Sequence, residues 1–241
     1  MSTTDSLLER VRTGEIVHLS APRDFAPLFN LLTGKLEEQT GITEPFPRAF
    51  GDLSWEQLEP ALGAVVKELD CTREHYRLLA QALLKNTVSE EEGLLHLTLD
   101  KSFRLCLTGR HKKNYGYFVH RDSWFDLAPD GVNIVLYLND VPCHGNTLFY
   151  EDYFGVEVPY DPKTRRVLDE SGLSRVTSFH CKAGDALIFS GDQLHSGALC
   201  ETNRFSVEFR LSRHWEYGRR DQGITYRGVR DFIAPEHTDI F

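Results

Sequence analysis

The stretch Gly116–Asp126, which reads GYFVHRDSWFD, places two metal-capable side chains, His120 and Asp122, one residue apart. On an extended backbone alternate side chains point to the same face, so both can reach one point while Arg121 points away. Two histidines and one carboxylate on one face of an iron ion leave its other positions open, and this set needs a second histidine. His195, in the later stretch GDQLHSG, is the candidate. We therefore predict these two histidines and the aspartate as the metal ligands and the catalytic centre.

The first 100 residues are predicted to be mainly helical, and no chemistry is assigned to them. Apolar residues recur there at helical spacing in three places, each time on one face. The three sets are Phe25, Leu28, Phe29 and Leu32; Leu58, Leu62, Val65, Val66 and Leu69; and Tyr76, Leu79, Ala80 and Leu83. We expect these helices to pack on one face of a sheet.

From about residue 101 the pattern changes to short strands separated by Gly, Pro and Asp turns. The predicted strands are Phe103–Thr108, Val132–Leu138, Leu148–Tyr150, Arg175–His180, Ala186–Phe189 and Phe205–Leu211. The second of these is β-branched and almost continuously apolar, which is typical of a strand buried on both faces. Many short antiparallel strands indicate a sandwich or a jelly roll.

These patterns together predict an α+β chain of one domain. We expect a mainly helical part over residues 1–100, a jelly-roll core over 101–212 and a C-terminal extension over 213–241. The length of 241 residues suits one large domain.

Composition excludes several classes of partner. The net charge is −9 and no basic patch stands out, which argues against nucleic acid. The apolar runs are too short to span a bilayer, and the N-terminus lacks the apolar core of a signal peptide. The five cysteines, at positions 71, 106, 143, 181 and 200, are scattered and odd in number, which favours reduced thiols and a cytoplasmic protein. We expect a small-molecule substrate as the partner; the sequence leaves the oligomeric state open.

The strand after the distal histidine reads NRFSVEFR and carries alternating polar residues. Arg204, Ser206, Glu208 and Arg210 all fall on one of its faces. An arginine there can hold a carboxylate through a bidentate, charge-assisted pair, and the serine can add a hydroxyl. Both arginines can fill this role.

The motifs His120–Asp122 (HRD), the distal His195 and Arg204–Ser206 (RFS) resemble those of the iron(II)- and 2-oxoglutarate-dependent oxygenases of the double-stranded β-helix fold. The likeness covers about residues 101–212. It is most similar to members that tailor small metabolites such as amino acids, sugars and antibiotic precursors. The resemblance implies a double-stranded β-helix core, Fe(II) held by the triad, and 2-oxoglutarate and O2 as cosubstrates, with succinate and carbon dioxide as products.

The resemblance also assigns the cosubstrate site. Arg204 and Ser206 match the family's Arg-x-Ser pair, which binds the far carboxylate of 2-oxoglutarate. Thr147, in GNTLFY, falls where several members have a threonine that touches the same cosubstrate. Arg210 is the alternative anchor.

The reaction implied is oxidation, most simply hydroxylation, of a C–H bond in a small polar metabolite. In halogenating members a small residue replaces the metal carboxylate, so Asp122 predicts oxygenation instead. Desaturation, cyclisation and epimerisation stay open, as does the substrate. Two other classes also stay open: a non-catalytic metal- or sugar-binding jelly roll, and a non-heme iron oxygenase that does not use 2-oxoglutarate. The first gives no reason for an Arg-x-Ser pair after His195.

Overall fold

The computed structural model describes residues 7–40, 77–78, 81–82, 96–98, 103–106, 118–125, 128, 130–198, 204–212 and 226–228. The helix predicted around Leu58–Leu69 lies outside these ranges. The one predicted at Tyr76–Leu83 is described as helical at 77–78 and 81–82. Of the five cysteines, the side chains of Cys143 and Cys181 are described, and both are free thiols.

Short strands make up most of the described structure. In chain order they are β1 Val17–Leu19, β2 His96–Thr98, β3 Phe103–Cys106, β4 Val132–Tyr137, β5 Thr147–Tyr150, β6 Tyr160–Asp161, β7 Arg166–Val167, β8 Val176–Thr177, β9 Ala186–Ser190, β10 His195–Gly197, β11 Arg204–Ser212 and β12 Tyr226–Gly228. The described N-terminal range contains two α-helices, α1 Leu7–Arg12 and α2 Ala26–Thr40, and a 3-10 turn at Arg23–Phe25 leads into α2.

The strands form one large sheet and two small ones. The large sheet has the order β1-β9-β4-β11-β2-β12, and β3 also pairs with β11. The second sheet has the order β10-β5-β8, and β6 and β7 form a hairpin of their own. All these pairs are antiparallel. The predicted set of short antiparallel strands is therefore confirmed, whereas closure into a double-stranded β-helix stays a prediction.

The hydrophobic core lies between the large sheet and the β10-β5-β8 sheet. One buried cluster joins Val135 and Tyr137 of β4 and Leu187 and Phe189 of β9 to Phe149 of β5. All six residues of β4 are buried, as its continuous apolar pattern predicted. This strand lies between β9 and β11 in the sheet, so it fixes the positions of the strands on both sides.

The N-terminal helix α1 packs on the sheet. Leu8 and Val11 of α1 are fully buried, and α1 contacts β4 and β9. In the 3-10 turn and α2, Phe25, Leu28 and Leu32 are at most 1% exposed, and Phe29 is half-buried. The apolar face predicted there is therefore confirmed at three of its four residues. In the described ranges, no helix combines the length and apolar character needed to cross a bilayer.

Several strands differ from the sequence prediction; β2, like β1, lies in the segment predicted as mainly helical, and β6, β7, β10 and β12 were not among the predicted strands. The strand predicted over 175–180 is reduced to β8, because Arg175 has a φ of +53°, which extended backbone does not allow. After β8, the Ser178 hydroxyl donates to the carbonyls of Cys143 and Thr147. β1 was not predicted, and it pairs with β9 from within the segment predicted as mainly helical.

Candidate metal and cosubstrate site

Backbone pairing brings together the two candidate histidines, which lie 75 positions apart in the sequence. His120 and His195 form an isolated antiparallel bridge, with N–H···O distances of 2.9 and 3.0 Å in the two directions. His195 opens β10, which is held in the second sheet by its pairing with β5. The imidazole ring centroids lie 4.4 Å apart. The distal histidine is thus placed beside the HRD motif by the sheet itself.

Asp122 opens a 3-10 turn, Asp122–Phe125, instead of continuing an extended strand. The turn is held by a hydrogen bond from Ser123 N–H to the carbonyl of Gly191, which follows β9. A Cβ on Gly191 would lie 3.2 Å from the Gly131 carbonyl oxygen and 3.8 Å from the Asp122 Cβ. The lack of a side chain at Gly191 therefore lets the segments that contain Gly191 and Gly131 approach each other beside Asp122. Alternation along a strand explains the direction of His120 but not that of Asp122.

The three predicted ligands converge. One ligand atom from each of His120, Asp122 and His195 lies within 4.8 Å of the others. The His120 Nε2 is 3.8 Å from Asp122 Oδ1, and the His195 Nε2 is 3.9 Å from Asp122 Oδ2. All three residues are at most 9% exposed. A buried set of this chemistry, in reach of one point, fits a single metal ion.

The tautomers of both histidines follow from their backbone contacts. His120 Nδ1 lies 2.8 Å from the carbonyl of Phe118, and His195 Nδ1 lies 2.8 Å from that of Gln193. A carbonyl only accepts, so each Nδ1 carries the proton and donates it. In the neutral imidazole Nε2 then has a free lone pair, and in both residues it faces Asp122, at 3.8 Å for His120 and 3.9 Å for His195, which is the arrangement that a metal-binding imidazole needs.

The protonation states of the site suit a cation. Burial, with help from the nearby His195, lowers the pKa of His120 to about 4, although Asp122 opposes the shift. Burial alone would raise the pKa of Asp122, but Arg210, the two histidines and a hydrogen bond from Asn133 outweigh it and hold that pKa well below its ordinary value. At neutral pH the imidazole of His120 is neutral and the carboxylate is ionised, as metal binding requires.

A buried polar network stands behind the carboxylate. Asn133 donates from Nδ2 to Asp122 Oδ2 at 2.5 Å, and Arg210 donates from Nη2 to Asp122 Oδ1 at 3.4 Å. Arg210 also donates from Nε to Asn133 Oδ1 at 3.1 Å. Sequence reasoning missed Asn133. The sequence offers one indication of its role: Asn133 is the only polar residue before Tyr137 in the apolar run VNIVLYL.

The other end of β11 carries the predicted cosubstrate residues. Arg204 donates from Nη1 to the Thr147 hydroxyl at 3.2 Å, and both residues are 8% exposed. Ser206 is 1% exposed and lies two residues further along the strand, opposite Tyr137 of β4. Burial raises the pKa of Tyr137 far above its ordinary value, and Arg204 opposes that rise. Arg204, Thr147 and Tyr137 therefore share one buried polar region, and Tyr137 was not among the predicted site residues.

Aromatic side chains border the triad. Phe118 and Phe125 lie 5.0 and 5.4 Å from the ring of His120. Trp124 stacks on Tyr160 with the ring planes 6° apart and the centroids at 4.1 Å. The rings of Phe118 and Phe125 therefore pack beside the imidazole of His120.

Comparison with known proteins gives structural neighbours only. No family model matches the sequence, and no curated protein matches it. The structure is similar to that of the epimerase SnoN in complex with Fe3+, alpha ketoglutarate and nogalamycin RO, at 14% identity and a TM-score of 0.49, covering 96% of this chain and 90% of that one. It is also similar to EvdO2 from Micromonospora carbonacea var. aurantiaca, at 14% identity and a TM-score of 0.49, covering 94% of each chain.

A third neighbour is HygX from Streptomyces hygroscopicus with nickel and 2-oxoglutarate bound, at 17% identity and a TM-score of 0.46, covering 88% of this chain and 87% of that one. SnoN and HygX are each described in complex with a metal ion and 2-oxoglutarate (alpha ketoglutarate). At TM-scores below 0.5 and identities of 17% or less, these likenesses do not define the chemistry of this chain.

Proposed function

We propose that this chain is an Fe(II)- and 2-oxoglutarate-dependent oxygenase that oxidises a C–H bond of a small polar metabolite within a single domain. The observation that carries the proposal is the buried convergence of His120, Asp122 and His195, whose ligand atoms lie within 4.8 Å of one another. The substrate class comes from the resemblance of the motifs to metabolite-tailoring members of that family.

The donor set fits iron(II) with open positions. Two neutral imidazole nitrogens and one carboxylate oxygen occupy one face of such an ion and leave room for a cosubstrate and oxygen. When bound there, iron(II) supplies the redox chemistry that couples the oxidation of 2-oxoglutarate to that of a substrate. The protein holds the ligands, and the rings of Phe118 and Phe125 pack beside His120.

Arg204 is the proposed anchor for the far carboxylate of 2-oxoglutarate, with Ser206 and Thr147 beside it. Its contact with the Thr147 hydroxyl puts the guanidinium in the same buried region as Tyr137. Ser206 lies opposite Tyr137 in the register of β4 and β11. A bidentate guanidinium–carboxylate pair gives both affinity and orientation. Orientation matters because the remaining ligand groups of the cosubstrate must reach the metal.

Hydroxylation is the proposed outcome. Because Asp122 provides the third ligand, its oxygen fills the position that a halide would need. Turnover under labelled oxygen gas with chloride present, analysed by mass spectrometry, tests this. Incorporation of one labelled oxygen into the product is expected. A chlorinated product would contradict the role of Asp122, and an unlabelled product two hydrogens lighter would replace hydroxylation with desaturation or ring closure.

The first test is succinate formation from 2-oxoglutarate with iron(II), ascorbate and oxygen, screened against a panel of amino acids, sugars and other small metabolites. We expect succinate release that a substrate stimulates and that His195→Ala abolishes. Metal binding without any succinate would favour a binding protein. Substrate oxidation without consumption of 2-oxoglutarate would favour an oxygenase with a different cosubstrate.

A further inference from the structure

Two residues outside the proposed ligand set hold the carboxylate of Asp122. Asn133 and Arg210 are direct partners in the antiparallel register of β4 and β11, so the sheet fixes them side by side. Each donates to a different oxygen of Asp122: Asn133 to Oδ2 at 2.5 Å and Arg210 to Oδ1 at 3.4 Å. The side chains of Asp122 and Arg210 are 12% and 13% exposed, and Asn133 is 3% exposed.

The chemistry of the three groups permits one orientation of the Asn133 amide. A guanidinium only donates, so the amide oxygen must face Arg210, whose Nε lies 3.1 Å away. The amide nitrogen must then face Asp122, whose ionised carboxylate only accepts. Arg210 thus fixes the orientation of the Asn133 amide, and the amide in turn fixes the orientation of the Asp122 carboxylate.

We propose that Asn133 and Arg210 are positioning residues that hold Asp122 in its metal-binding orientation, an inference that rests on the metal site proposed above. A carboxylate oxygen has two lone pairs, so one hydrogen bond to each oxygen leaves each free to face the histidines. Outer hydrogen-bond partners of this kind set ligand orientation and hence metal affinity. The second arginine of β11 is thereby assigned to the metal end of the site.

The two residues differ in their expected effect. Asn133 is neutral, so its loss removes orientation alone. Arg210 carries a positive charge and repels the dication that it helps to place, so its loss removes orientation and repulsion together. We therefore expect a smaller change in metal affinity for Arg210→Met than for Asn133→Leu.

The experiment is a calorimetric titration of Co2+ into chelator-treated full-length protein. Asn133→Leu is expected to weaken Co2+ binding about 10- to 100-fold. Asn139→Leu is the matched control, because Asn139 is also 3% exposed but accepts from the Phe205 backbone, away from the metal ligands. It is expected to lower the melting temperature and to leave Co2+ affinity unchanged. Circular dichroism checks folding, and Asn133→Ala replaces Asn133→Leu if the latter does not fold.

A second readout separates positioning from cosubstrate binding. At saturating iron(II), Arg210→Met is expected to leave the 2-oxoglutarate requirement unchanged and to alter the visible spectrum of bound Co2+, because the carboxylate is reoriented.

Equal Co2+ affinity in the unmodified protein, Asn133→Leu and Asn133→Ala would overturn the inference, while loss of binding in His195→Ala would still support the metal site. Absence of Co2+ binding in the unmodified protein would overturn both. A raised 2-oxoglutarate requirement in Arg210→Met would assign Arg210 to the cosubstrate instead.

Discussion

The two ends of β11 carry the same residue type on the same face but in different surroundings. At one end Arg210 reaches the ionised carboxylate of Asp122 and the amide of Asn133. At the other end Arg204 donates to the neutral hydroxyl of Thr147. The arginines are six positions apart, which places their Cα atoms about 20 Å from each other on an extended strand.

The partners of each arginine, and not its position in a motif, decide its role. Arg210 is committed to a residue that is itself a candidate metal ligand. Arg204 lies among hydroxyl groups, where its charge can meet the carboxylate of a ligand. The sequence left both arginines open as anchors, and the contacts favour Arg204. Each prediction below tests one end of the strand against the other.

The largest effect is expected from removing a metal ligand. Asp122→Ala and His195→Ala should each reduce turnover by more than about 100-fold, since even outer partners of metal ligands cost 10- to 100-fold. Metal content of the purified variants and succinate release are the measurements, with circular dichroism to check the fold. Full activity in either variant would show that the metal end of the site has been misassigned.

The next largest effect on activity is expected at the cosubstrate end of β11. Arg204→Met should raise the 2-oxoglutarate requirement about 10- to 100-fold, because a hydrogen bond to a charged group contributes about 1.5–3 kcal/mol. Metal affinity should not change. Succinate release is measured against 2-oxoglutarate concentration, and Arg210→Met is the matched control from the same strand. An opposite pattern in the two variants would exchange the roles of the arginines.

Much of the site was predictable because its residues are chemically distinctive. His120, Asp122 and His195 were identified from ligand type and spacing, and the structure brings them within 4.8 Å of one another. β4 was predicted from a continuous apolar run, since a strand covered on both faces has few polar positions. Such features are local to a short stretch of chain.

The remaining features depend on contacts between distant segments. In the sequence, Asn133 is a single polar residue in an apolar strand. Only the register of β4 on β11 shows that it faces Arg210. β1 has three residues, too few for a periodic pattern, and it is defined by its pairing with β9. The turn at Asp122 needs Gly191 behind it, a residue 69 positions later in the numbering. No local pattern encodes these pairings.

An effect on stability, and not on activity, is expected from the titration of His120 in metal-free protein. The unfolded chain takes up a proton near the ordinary pKa of 6.5, whereas the folded state does so near pH 4. Stability is therefore lost as pH falls from 6.5 to 4, at up to about 1.4 kcal/mol per pH unit from this group. Urea unfolding of chelator-treated protein at several pH values measures the slope. His120→Asn should flatten it over this window, and an unchanged slope would contradict the burial of a neutral imidazole.

The smallest effect is expected at Thr147, whose hydroxyl is a neutral partner at the cosubstrate end. Thr147→Val keeps the shape and the β-branched character of the side chain but removes the contact with Arg204. A hydrogen bond contributes about 0.5–1.5 kcal/mol net, so the 2-oxoglutarate requirement should rise about two- to tenfold. Thr177→Val, on β8 beside β5, is the control and should leave that requirement unchanged. If Thr147→Val matches its control while Arg204→Met does not, Arg204 binds the cosubstrate without help from Thr147, and the hydroxyl has only a structural role in β5.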